Sequence, residues 1–137
     1  MKMLLVAVAA LATPAVAQGL DGGRPDWSRA TPITIEMTDQ GFAPREIELR
    51  RTAPYVLRVV NRSGKGHNLT QKVFFQLARV APSDRGWTHD GRISLKPGES
   101  ATVRFRAPDS RPGGTYEFGS TTLGDAVSDY KGVFLMR

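Results

Sequence analysis

The sequence predicts an all-β sandwich with one short helix between strands. Three observations carry this reading: apolar and polar residues alternate in several short runs, Pro- and Gly-containing turns separate the runs, and no regular helical segments interleave with them. Period-two alternation gives a strand one buried face, and a series of such strands must bury those faces against one another.

The elements follow in order. Ile33, Ile35 and Met37 alternate with Thr34, Glu36 and Thr38, and Ile47 and Leu49 repeat the pattern after the turn signal Ala43-Pro44. Tyr55 to Val60 is a stronger strand, rich in β-branched residues and opened by Pro54, a position where a missing N–H is tolerated. Ile93 and Leu95 form a short strand ended by the turn Lys96-Pro97-Gly98-Glu99. Val103 and Phe105 alternate with Thr102, Arg104 and Arg106; Tyr116 and Phe118 give a further strand, and Lys131 to Met136 the last. One segment departs from this period. Val73, Phe74, Leu77 and Ala78 recur at helical spacing with Lys72, Gln76 and Arg79 opposite, which predicts a short amphipathic helix whose Phe74-Phe75 pair caps one end of the sandwich.

Residues 1–17 read as a secretory signal. Lys2 supplies the positive start, Met3 to Ala12 the apolar run, and Ala15-Val16-Ala17 the small-x-small cleavage site, so the mature chain is expected to begin at Gln18. That run is too short for a stable membrane span, and the mature chain is expected to have no transmembrane segment. Gly19, Gly22, Gly23 and Pro25 mark residues 18–31 as a flexible leader, leaving residues 32–137 for one small domain in a periplasmic or secreted protein.

Composition narrows the function. The chain has no Cys, which excludes disulfides, thiolate metal sites and thiol catalysis. The formal net charge is +6, but the basic residues are dispersed and lack interleaved aromatics, so no nucleic-acid groove is expected. Gly-x-Ser-x-Gly, phosphate-loop and His-Glu-x-x-His signatures are absent, and no enzyme activity is expected.

Several short motifs in fixed order carry a family resemblance. They are Gly41-Phe42-Ala43-Pro44, Val59-Val60-Asn61 followed by His67-Asn68-Leu69, Leu95-Lys96-Pro97-Gly98-Glu99, and Pro112-Gly113-Gly114-Thr115-Tyr116-Glu117-Phe118, then Gly132. From Ile33 to Met136 the chain resembles the cupredoxins, the blue copper proteins. That resemblance implies a Greek-key β-sandwich and a copper site at one loop end. His67 matches the family's first ligand. Ser120 stands at the Cys position, Asp125 where members with a similar loop length have His, and Tyr130 where they have Met. A blue copper centre uses two His and one Cys with a weak axial ligand, so the resemblance implies the loop backbone without its copper chemistry.

Two uses of this constellation follow. His67 and Asp125, with Tyr130 near, are the residue types that hold Cu(II) or Zn(II) with open positions for water. Alternatively, His67 bonds the loop backbone, and Asn61 or Asn68 ties the loops together. His89, in Thr88-His89-Asp90-Gly91, reads as an exposed turn residue. Ser120, His67 and Asp125 also supply the residue types of a nucleophile triad, which acts only with specific geometry and an oxyanion hole. The expectation is an exported binding or accessory domain with an unidentified protein or small-molecule partner and no cofactor. The alternative is a copper or zinc carrier, or the family's copper-dependent electron transfer.

Overall fold

A computed structural model describes residues 26–137; the expected signal segment and the first part of the expected leader lie outside them. Ten strands form two five-stranded sheets. One has the order β3 (Glu46–Leu49), β10 (Lys131–Met136), β9 (Thr115–Gly119), β5 (His67–Thr70), β7 (Arg92–Leu95). The other has the order β2 (Phe42–Ala43), β1 (Thr31–Met37), β4 (Pro54–Asn61), β8 (Ser100–Arg106), β6 (Arg79–Val80). Most neighbours are antiparallel. β1 with β4 and β3 with β10 run parallel, with Thr31 opposite Tyr55 and Glu46 opposite Val133.

The alternation read from the sequence sets which side of each strand is buried. Ile35, Met37, Leu57, Val59, Val103 and Phe105 face inward from one sheet against Leu49, Leu69, Ile93, Phe118, Phe134 and Met136 of the other. Burying these side chains is the main source of stability. Ahead of the sandwich Asp26 caps a 3-10 turn at Trp27–Arg29 by accepting from the Ser28 amide at 3.1 Å, and β1 begins at Thr31.

The helix α1 spans Lys72–Leu77, and the Gln71 side chain caps its start by accepting from the Val73 amide at 3.0 Å. Its buried face differs from the expected stripe. Phe74, Phe75 and Ala78 are buried, whereas Val73 and Leu77 are exposed. Phe74 decides this rotation, because its ring is held by Phe105, Tyr116 and Phe134. The alternation signal missed three pairings, β2, β5 and β6. Each is short, and β5 is buried at His67, Asn68 and Leu69 alike, so it shows no period of two.

Candidate functional site

The site lies at the end of the sandwich where β4 stops and β5 begins. Asn61, the last residue of β4, is fully buried. Its Nδ2 donates to the carbonyls of Lys65 at 2.8 Å and Leu95 at 3.0 Å, and its Oδ1 accepts from the Ser63 amide and hydroxyl at 2.9 and 2.7 Å. The amide's bonding capacity is thus filled, which fixes the path of loop 62–66 and delivers His67 to the start of β5 opposite Leu95.

The second half of the site comes from the loop between β9 and β10. The Ser120 amide donates to the Tyr130 carbonyl at 3.1 Å and closes the loop base. Asn68 fastens the loop to β5: its Nδ2 donates to Thr121 Oγ1 at 3.0 Å and its Oδ1 accepts from the Thr121 amide at 3.0 Å. Within the loop a short turn of helix, α2 (Leu123–Ala126), carries Asp125 inward. Gly132, just after the loop, sits where a Cβ would lie 2.8 Å from the Arg45 carbonyl and against the Phe118 ring, so no side chain fits there.

These elements converge on one imidazole. His67 is 6% exposed. Its Nδ1 is hydrogen-bonded to the Asp125 carboxylate, and its ring stacks on Tyr130 with centroids 4.4 Å apart and planes 15° from parallel. Burial would raise the Asp125 pKa, but hydrogen bonds from Ser120, His67 and Thr122 and the nearby imidazole outweigh it and hold the carboxyl below its ordinary value. An ionised carboxylate only accepts, so Nδ1 donates the shared proton. Nε2 is buried and has no hydrogen-bond partner among the described residues.

The other candidates are placed with equal definition. Tyr130 contributes its ring face; its hydroxyl donates to the Thr38 carbonyl at 2.6 Å. Burial, followed by the Asp125 and Asp39 charges, pushes the phenol pKa well above its ordinary value, so it stays protonated. Ser120 Oγ accepts from the Asn68 amide at 3.1 Å. A nucleophile triad needs the serine hydroxyl on the free imidazole nitrogen; here that nitrogen has no partner among the described residues, and Ser120 Oγ bonds the Asn68 amide. His89 is exposed, with Nε2 3.8 Å from a carboxylate oxygen of adjacent Asp90.

A blue copper ion does not fit these residues. Ser120 offers a hydroxyl where a thiolate is needed, and Nδ1 of His67 faces a carboxylate. Among the described residues no three His, Cys, Asp or Glu side chains gather into a metal-holding group. Nδ1 and Nε2 point away from each other across the ring. Nε2 and Asp125 therefore do not meet on one ion while the His67–Asp125 bond stands.

Sequence reading missed Leu123 and Val127, which are 88% and 86% exposed on the same loop. Their signal was an i, i+4 apolar pair between Ser120 and Tyr130, too short to register as a helix stripe.

No family model matches the chain, and no curated protein matches it. Solved structures do. An auracyanin from Roseiflexus castenholzii is 20% identical with a TM-score of 0.57, over 79% of this chain and 98% of that one. Auracyanin B is 20% identical with a TM-score of 0.55, over 79% and 89%. Auracyanin A from Chloroflexus aurantiacus, described as a "blue" copper protein, is 17% identical with a TM-score of 0.51, over 77% and 99%. The chain therefore has the cupredoxin fold, and it carries that fold without the Cys on which a blue copper centre depends.

Proposed function

We propose that this protein is an exported, non-enzymatic, cupredoxin-like binding domain whose former copper end is closed by its own side chains. The observation that carries this reading is the Asp125 carboxylate on His67 Nδ1. It replaces a metal ion with an internal hydrogen bond, and Tyr130 covers the imidazole face. Export is supported by the signal-like residues 1–17. The partner is a protein or small molecule held at the loop end, where Leu123 and Val127 stand in solvent one helical turn apart; contiguous exposed apolar surface marks interaction sites.

Cu(II) titration by calorimetry and EPR, with His67→Ala alongside, tests the reading. The expected result is no specific copper retained after desalting by either protein. Tight one-to-one binding lost in His67→Ala overturns it. The unpartnered Nε2 favours carriage of copper or zinc as the second reading, and that outcome would establish it.

A further inference from the structure

The outer face of the sheet β2-β1-β4-β8-β6 is rich in arginine. On β4 the buried Leu57 and Val59 alternate with exposed Arg58. On β8 the buried Ala101, Val103 and Phe105 alternate with outward Thr102, Arg104 and Arg106. Arg79 of β6 sits directly opposite Arg106. Like charges directly opposite across an antiparallel pair are destabilising, so this pairing does not serve the fold.

The carboxylates at this face are already engaged. Asp84 pairs with Arg104 at 2.8 Å, and Glu36, at the other end, pairs with Arg62 at 2.8 Å. Among the described residues Arg106 reaches only the Thr52 carbonyl, at 2.9 Å. Arg58 and Arg79 have no acidic partner among the described residues. The result is a sheet face with positive charge that the described residues do not neutralise.

We propose that this face docks on an anionic, phosphate-bearing lipid surface. Guanidinium forks match phosphate oxygens, and each basic residue near an anionic membrane adds attraction without needing a shaped pocket. A protein partner would need a central apolar or aromatic anchor. Among the described residues the exposed large apolar side chains are Val73, Leu77, Trp87, Leu123 and Val127, none of them on these strands. A single-stranded nucleic acid would need stacking aromatics, and Tyr55 and Phe105 face inward. Arg106 pairs with Pro54 and Arg79, whereas Asn61 lies at the opposite end of β4. Docking through the arginines therefore leaves the His67 end free, and the proposal stands independently of what that end binds.

The test is cosedimentation of the purified protein with vesicles of phosphatidylglycerol and phosphatidylcholine, against phosphatidylcholine alone. Binding to the anionic vesicles only, weakened by salt, is expected. Arg58→Gln with Arg79→Gln should weaken it about tenfold to thirtyfold. Arg92→Gln, on the other sheet, should leave it unchanged. Arg79→Gln should not lower the thermal midpoint, because it removes a like-charge pair. Equal binding to both vesicle types, or no binding to either, overturns the proposal. So does capture by soluble poly-glutamate without vesicle binding, which assigns the face to an acidic protein.

Discussion

At one end of the sandwich Phe74 lies over Phe134 with ring centroids 4.2 Å apart; at the other His67 lies over Tyr130 at 4.4 Å. The planes are 17° and 15° from parallel, so the two stacks are nearly the same object. Their surroundings differ. Phe74 meets Phe105, Tyr116 and Phe75 edge-on, in a cluster held by burial and ring contact. His67 and Tyr130 end in directional bonds to Asp125 and Thr38. An apolar stack loses stability in proportion to the volume removed, whereas a polar one fails when a single buried partner goes missing. The first is built for stability and the second for a defined arrangement of polar atoms.

The largest effect should come from the apolar end. Phe74→Ala should cost about 3–5 kcal/mol in urea unfolding, and Phe74→Leu distinctly less. A small loss in Phe74→Ala would show that α1 does not seal that end.

Asn61→Ala comes next, at about 2–3 kcal/mol, because it removes the Nδ2 donor from the Lys65 and Leu95 carbonyls and the acceptor of the buried Ser63 amide. Asp125→Ala should cost about 1.5–3 kcal/mol at neutral pH, the range of a hydrogen bond to a charged group. Its effect carries a sign in pH. The folded pKa lies below the unfolded value, so the Asp125 contribution is fully present above an unfolded carboxylate pKa of about 4. It is lost as pH falls through the folded pKa. Asp84 has the same sign; burial opposes ionisation, but hydrogen bonds from Arg104 prevail. The variant should therefore flatten the acid limb of stability against pH without abolishing it. An unchanged acid limb would remove Asp125 from the account.

Tyr130→Phe keeps the ring on His67 and loses only the bond to Thr38, about 1 kcal/mol by thermal unfolding. Leu123→Ser with Val127→Ser should change stability by less than about 0.5 kcal/mol. A large loss from that pair would mean the loop packs on something rather than standing free for a partner.

The apolar half of this comparison was legible in the sequence because it is written in local periods. Ile33, Ile35 and Met37 announce β1, and Phe74-Phe75 announce a capping helix. Which face of α1 turns inward was not legible, since Phe105, Tyr116 and Phe134 decide it from distant strands. The polar half was legible only as separate residues. His67, Ser120, Asp125 and Tyr130 stand out as positions at which a known pattern has changed. Nothing local shows that Asp125 bonds Nδ1 or that the Tyr130 hydroxyl turns away to Thr38, 92 residues earlier. Hydrogen bonds between such distant residues exist only once both sheets have closed.

The most direct test is the 15N–1H spectrum of the His67 imidazole with and without one equivalent of Zn(II). The account predicts a proton fixed on Nδ1, shifted strongly downfield by the carboxylate, lost in Asp125→Ala and unmoved by the metal. An Nδ1 that carries no proton, or one that gives it up to bind zinc, would contradict a loop end closed by the protein's own side chains.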